Sequence, residues 1–147
     1  EEKMEAEARV LQIAMLYGVT ALVFLGLDAL ALKHVIKPAF ERDIADMLLP
    51  TPRYGAAAAF YLAYVGGLLF FVSYPALKAA TSLPLVFATG ALFGLVCYGT
   101  YEFTNLATLK GWTWRMTILD VTWGALLNGI AATAGVAATR AVLPKLL

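Results

Sequence analysis

Four stretches of this chain contain no charged residue, and each is about as long as a lipid bilayer is thick. They are residues 10–27, 54–77, 79–101 and 121–139, which hold 18, 24, 23 and 19 residues. A helix that crosses about 30 Å of hydrocarbon needs roughly 20 apolar residues. Charged residues make up only 14% of the chain, against about 25% in an ordinary soluble domain. The pattern therefore predicts an integral membrane protein.

The charge-free runs predict an all-α fold, a four-helix transmembrane bundle that forms a single domain over residues 1–147. Alternation of the strand type is absent from the sequence, and only helices or closed barrels satisfy the backbone in lipid. Both short connections, near residues 78–84 and 110–113, make neighbouring helices antiparallel. The four helices are expected near residues 9–36, 55–78, 83–109 and 114–142.

The longer connection between the first two helices has a helical pattern of its own. Pro38 is expected to end the first helix, because proline lacks the N–H that a helix interior needs. After it, apolar side chains recur at the spacing of an amphipathic helix, which predicts a short interfacial helix near residues 39–49. An irregular acidic loop is the alternative. The apolar positions are Phe40, Ile44, Met47 and Leu48.

Composition and motifs exclude several classes of function. A net charge of +1 gives no basic surface for nucleic acid, and a single cysteine excludes an intrachain disulfide. The chain has one histidine, and none of the common nucleotide-binding or serine-hydrolase motifs occurs in it. We therefore predict no cofactor, no metal site and no catalytic residue. Five basic residues fall on one side of the membrane and six on the other, so the charges do not predict an orientation.

Three carboxyl groups fall inside the predicted helices, all near the same membrane face. Asp28 lies late in the first helix, Glu102 late in the third and Asp120 early in the fourth. A carboxylate at membrane depth is costly and often marks a functional site. Because helices 1 and 3 run toward the face from which helix 4 starts, the three groups share one leaflet. We expect them to lie close together.

Further polar and aromatic side chains follow the carboxyls at steps of three and four residues, which places them on shared helix faces. Turned inward, they would line a polar chamber open toward one membrane face. The alternative is that these side chains only join neighbouring helices by hydrogen bonds, or that the aspartates lie at headgroup level. Trp112 and Trp114 are expected in the interfacial belt. The predicted chamber residues are Asp28, Tyr98, Tyr101, Glu102, Thr104, Asn105, Asp120, Trp123 and Asn128.

The segment 98–112, followed by 120–124, resembles a family of small, uncharacterised four-helix membrane proteins, mostly bacterial, described as a domain of unknown function. The family pattern is Y-x-x-Y-D-x-T-N-x-A-T-L, a Trp, and then D-x-x-W-G. Glu102 stands where that pattern has Asp, and Asp28 and residues 58–64 match further positions. The resemblance implies the fold and a membrane location, and it implies no reaction.

Three functions are compatible with this sequence. The first is a protein that binds or transports a proton or a small polar solute through the chamber. The second is a non-catalytic accessory subunit of a larger membrane complex, and the third is an intramembrane enzyme acting on lipid. We expect the lipid bilayer as the surrounding partner, with a homodimer or a larger membrane complex as the assembly. The expected location is a bacterial inner membrane, with an organellar membrane as the alternative.

Overall fold

The structure is a computed structural model that describes residues 1–145, and this part of the chain folds into helices without strands. Four helical stretches are long and apolar enough to cross a membrane: Glu2–Met47, Tyr54–Lys78, Leu83–Thr108 and Trp114–Val142. The predicted all-α fold with four membrane-spanning helices is confirmed. The prediction of a single domain over residues 1–147 includes Leu146 and Leu147, which lie outside the described residues.

Within these stretches we number six α-helices. Two π-helical segments, Leu32–Ile36 and Leu69–Ser73, join α1 to α2 and α3 to α4. Short 3₁₀ turns, Ala45–Met47 and Leu143–Lys145, follow α2 and α6. The helices are α1 (Glu2–Ala31), α2 (Lys37–Ile44), α3 (Tyr54–Leu68), α4 (Tyr74–Lys78), α5 (Leu83–Thr108) and α6 (Trp114–Val142).

The first span absorbs Pro38 instead of ending at it. The N–H of Lys37 donates to the carbonyl of Leu32, five residues back. A proline ring collides with the carbonyl four residues before it in a regular helix, and the wider π-helical turn shifts the hydrogen bonds to accommodate it. The expectation that Pro38 ends the first helix is therefore wrong, and the amphipathic segment continues that helix. A second π-helical segment precedes Pro75 in the same way.

Helix α6 forms the centre of the bundle. Half of its most apolar stretch is buried, compared with 17–22% of the corresponding stretch in each other span. It packs closely on α5, where glycines let the two backbones approach. A Cβ atom on Gly90 would lie 2.9 Å from the carbonyl oxygen of Asn128, and one on Gly94 would overlap the carbonyl oxygen of Gly124. The G-x-x-x-G pair of α5 thus serves packing inside the bundle.

The outer surface of the bundle is strongly apolar. Leu22 is 76% exposed, Phe70 72% and Phe60 67%. Such side chains on a soluble protein would form an unusually large apolar surface, and in a bilayer they contact lipid. A Cβ atom on Gly67 would have no neighbouring atom within 4 Å, so this small residue of α3 faces outward.

The bundle has two ends, here named the acid-rich face and the opposite face. The acid-rich face comprises α2, residues 45–53 and the turn 109–113 between α5 and α6. The opposite face comprises the start of α1, the turn 79–82 and the end of α6. Since α1 and α5 run toward the acid-rich face and α3 and α6 start from it, residues late in α1 and α5 lie at the same depth as residues early in α6.

Candidate functional site

Three carboxyl groups from three helices meet in the leaflet next to the acid-rich face. Asp28 of α1 is 5% exposed, Glu102 of α5 is fully buried, and Asp120 of α6 is partly buried. The carboxyl of Asp120 lies next to that of Glu102 and near that of Asp28. The structure thus brings together the groups that the sequence places at one depth. We call Asp28, Glu102 and Asp120 the carboxyl cluster.

Two members of the carboxyl cluster accept a hydrogen bond from a tryptophan indole. Trp123 Nε1 donates to Oδ1 of Asp28 at 3.0 Å, which joins α6 to α1. Trp112 Nε1 donates to Oε2 of Glu102 at 2.8 Å. Hydrogen bonds to a carboxylate are stronger than those between neutral groups, so each indole stabilises the acid that it contacts.

The other carboxyl oxygen of Glu102, Oε1, has no such donor in the described part of the chain. Glu102 Oε1 is buried and finds no hydrogen-bond donor among residues 1–145, although the carboxyl of Asp120 lies beside this side chain. Two ionised carboxylates cannot bond to each other, because neither has a hydrogen to donate. A proton on either group supplies that hydrogen. The geometry of the pair is therefore suited to holding one proton between Glu102 and Asp120.

Tyrosines from two helices surround the carboxyl cluster. Tyr98 of α5 and Tyr61 of α3 lie near enough to Asp28 and Asp120 for a charge on either acid to act on the tyrosine hydroxyls. The ring of Tyr98 packs against Gly124, where a Cβ would overlap it, so this glycine makes room for the ring.

Asn128 lies deeper in the membrane than the carboxyl cluster and is fully buried. Its side-chain oxygen accepts a hydrogen bond from the Tyr64 hydroxyl at 2.9 Å. Its side-chain nitrogen donates to the Gly124 carbonyl at 2.7 Å. The hydrogen bonds at this amide thus connect α6 to α3, and they extend the polar interior beyond the three acids.

The remaining predicted chamber residues lie farther out. Tyr101 is 57% exposed, and its ring lies edge-on to Trp112 at a centroid distance of 5.9 Å. Asn105, half-buried, adjoins Tyr101 one turn later. Thr104 is exposed, so the structure places it on the outer side of α5, away from the carboxyl cluster. The expectation that Thr104 lines the chamber does not agree with this position.

Trp112 covers Glu102 from the acid-rich face. The preceding residue, Gly111, has a φ of 82°, a left-handed conformation that glycine adopts without a steric cost. The turn brings the Trp112 indole back over the end of α5, where it contacts Phe40 of α2 edge-on at 5.5 Å as well as Glu102. The sequence alone predicts only an interfacial position for Trp112, because no periodicity within one helix reveals a contact across a turn.

An ion pair fixes α2 to the same turn. Thr113 Oγ1 donates to Oδ2 of Asp43 at 2.7 Å, and Arg115 Nη2 lies 2.7 Å from Oδ1 of Asp43. The hydrogen bond from Thr113, followed by that from Arg115 and its charge, holds the pKa of Asp43 below its ordinary value. Thr113 also accepts the N–H of Met116 and so caps the start of α6. Asp43 thereby ties the amphipathic helix to the turn that holds Trp112.

Comparisons with known proteins agree with the fold. A family model described as "Predicted membrane protein (DUF2177)" matches residues 13–137. No curated protein and no solved structure matches the chain. The matched range includes all three acids of the carboxyl cluster and both tryptophans that bond them.

Proposed function

We propose that this chain, which belongs to the DUF2177 family of predicted membrane proteins, binds a proton at the Glu102–Asp120 pair. The proton would exchange with the water at the acid-rich face. The polar side chains around this pair would also suit the passage of a proton or of another small polar solute. The chain is a multi-pass membrane protein, and the carboxyl cluster supports the rest of the proposal.

The observation that carries the proposal is the unpartnered, buried oxygen of Glu102 beside the carboxyl of Asp120. A charged carboxylate inside a bilayer is costly, and two neighbouring carboxylates repel each other. One shared proton removes a charge and supplies the missing hydrogen bond. Loss of that proton is compensated in part by the Trp112 indole on Oε2, so both protonation states have a supporting contact.

Access from the acid-rich face supports exchange with water on that side. Between Glu102 and the aqueous phase lies the turn 109–113, where Gly111 is exposed and Trp112 is half-buried. Movement of this turn would expose the carboxyl pair without a rearrangement of the four spans. The opposite leaflet offers no equally short route, since α6 continues from Asp120 for about 30 Å before Arg140.

The proposal includes the location and the assembly. A helical bundle suits the inner membrane of a bacterium, because outer-membrane proteins are typically β-barrels. A proton site is also useful in a membrane that separates compartments of different pH.

Four helices are few for a complete transport path, so we expect a homodimer or a larger membrane complex. Native gel mobility after gentle detergent extraction measures the oligomeric state. Migration as a monomer would contradict the expected assembly.

Infrared difference spectroscopy of the reconstituted protein tests the proton site. The carbonyl band of a protonated carboxyl should be present in the wild type and disappear as the pH is raised. Glu102→Gln and Asp120→Asn should each abolish that change. Glu41→Gln is the matched control, since Glu41 is an exposed carboxyl paired with Lys37 on α2, and it should leave the band unchanged. A titrating band of wild-type size in the Glu102→Gln/Asp120→Asn double variant, which keeps Asp28, would overturn the proposal.

A further inference from the structure

A second polar cluster lies in the leaflet opposite to the carboxyl cluster, and its key members are buried hydroxyls without partners. Thr20 of α1 and Ser73 of the second π-helical segment are both fully buried. Neither Thr20 Oγ1 nor Ser73 Oγ has a hydrogen-bond partner among residues 1–145. A buried hydroxyl without a partner costs free energy, and most buried polar groups in proteins bond to protein or to ordered water.

The two hydroxyls lie at similar depths along α6. A Cβ atom on Gly135 would overlap Thr20 Oγ1, so the Thr20 hydroxyl lies directly on the α6 backbone. Ser73 is one turn before Ala76, whose carbonyl accepts a hydrogen bond from Arg140 Nη2 at 3.1 Å. Residues 135 and 140 are separated by about 7.5 Å along the helix axis. Thr20 and Ser73 therefore lie at neighbouring depths in the bundle.

Helix α6 carries buried polar groups at three depths. Asp120 lies near the acid-rich face, and Asn128 follows about 12 Å along the axis. The cluster at Gly135, Thr139 and Arg140 begins about 10 Å beyond Asn128. Thr139 is 2% exposed and donates to the carbonyl of Gly135 at 2.8 Å. Polar groups thus occur at three separate depths along the central helix, from one leaflet to the other.

The chemistry of the second cluster suits water. Its groups are neutral hydroxyls, each able to donate one hydrogen bond and accept others, and buried waters typically bond to about three such groups. A metal cation is disfavoured, because the cationic Arg140 lies at the same depth, bonded to the Ala76 carbonyl. Ser73 is the last residue of the second π-helical segment. Such segments often occur at functional sites in helices.

We infer that Thr20 and Ser73 bind buried water and form the opposite-face half of a proton path that starts at the Glu102–Asp120 pair. The inference rests on the proposed function and extends it from binding at one face to passage across the membrane. Asn128, which accepts a hydrogen bond from the Tyr64 hydroxyl, lies at a depth between the two halves. Each transfer between a hydroxyl and a bound water breaks one O–H bond and forms another, so it requires neither an oxidant nor a reductant.

Proton flux into liposomes that contain the protein and a pH-sensitive dye tests the path. Thr20→Val keeps the shape of the side chain and removes the hydroxyl, and Ser73→Ala does the same with a small loss of volume. The double variant should lower the flux by about tenfold, because the water-mediated bonds are lost. Thr100→Val is the matched control: its hydroxyl is exposed and bonded to the Val96 carbonyl, so the flux should not change. Thermal unfolding in detergent confirms that each variant is folded.

The outcomes separate this inference from the proposed function. Flux in the double variant equal to that of the wild type would overturn the path. Wild-type flux no faster than that of empty liposomes would also overturn it, while the infrared signal of the carboxyl pair would still support proton binding. Absence of that infrared signal from the wild type would remove the proposed function itself, and the path with it.

Discussion

The indole nitrogen of Trp112 lies 2.8 Å from Oε2 of Glu102, across the turn that joins α5 to α6. A residue of the connecting turn therefore holds a fully buried carboxyl of a membrane-spanning helix. The same indole ring packs edge-on against Phe40 of α2 and Tyr101 of α5. The position of the Trp112 side chain thus depends on α2, on α5 and on the turn itself, and it decides how Glu102 is covered.

Trp112→Phe should destabilise the protein by about 1–3 kcal/mol, because it leaves the buried Oε2 of Glu102 without its donor. Phenylalanine keeps most of the ring contacts, so the lost hydrogen bond dominates. Chemical unfolding in detergent micelles measures the change. Trp114→Phe is the control: Trp114 is 66% exposed and should change the free energy of unfolding little. Equal stability of Trp112→Phe and the wild type would show that the bond contributes nothing.

The number and location of the membrane-spanning helices could be predicted from the sequence because lipid imposes a simple rule. A run without charges that is long enough to cross hydrocarbon must be a helix whose backbone bonds are internal. The common depth of Asp28, Glu102 and Asp120 followed from helix direction, since each helix reverses the direction of the one before it. Whether the three carboxyls face one another depends on how the helices pack. Family membership was likewise predictable from the motif and is confirmed by the match over residues 13–137.

Other features depend on tertiary contacts that no local pattern contains. Pro38 is compatible with a helix end or with a π-helical turn, and the sequence does not distinguish them. Thr104 belongs to the motif of the resembled family but is exposed, because only part of α5 faces the bundle. The bond from Trp112 to Glu102 requires the fold of a turn, and Thr20 and Ser73 are ordinary hydroxyls in the sequence. Their lack of partners is visible only once the helices are packed.

Gly94→Ala should disrupt the packing of α5 on α6. The added Cβ would overlap the Gly124 carbonyl, and backbone atoms cannot move aside as a flexible side chain can. We expect a loss of about 1–3 kcal/mol from overpacking, measured by unfolding in detergent. Gly66→Ala is the matched control, because nothing lies within 4 Å of its Cβ position. Destabilisation of the two variants by the same amount would contradict this close contact.

The attachment of α2 to the α5–α6 turn should depend on pH through Asp43. Its pKa in the folded protein lies below the ordinary value because Thr113 and Arg115 favour the carboxylate. The contribution of the ion pair is therefore fully present above the ordinary pKa of about 3.9 and is lost as the pH falls through the lower, folded-state value. Amide hydrogen exchange over residues 109–117 should accelerate in that acidic range.

Asp43→Asn should produce the faster exchange already at neutral pH, since the charge is removed. Asp46→Asn is the control, because Asp46 is exposed and should leave exchange in this turn unchanged. If Asp43→Asn exchanged as slowly as the wild type at neutral pH, the ion pair would not be what holds α2 to the turn.

The hydrogen bond between Tyr64 and Asn128 allows a direct measurement of how much a buried polar contact stabilises this bundle. Tyr64→Phe removes the hydroxyl and Asn128→Leu removes the amide, and a double-mutant cycle isolates their coupling. Bonds of this kind between membrane helices average about 0.6 kcal/mol, so we expect a coupling of that size in detergent unfolding. If the contact were only structural, the variants would lower stability without affecting proton flux. Because Asn128 stands between the two polar clusters, we expect Asn128→Leu to reduce the flux as well, and an unchanged flux would limit this residue to helix packing.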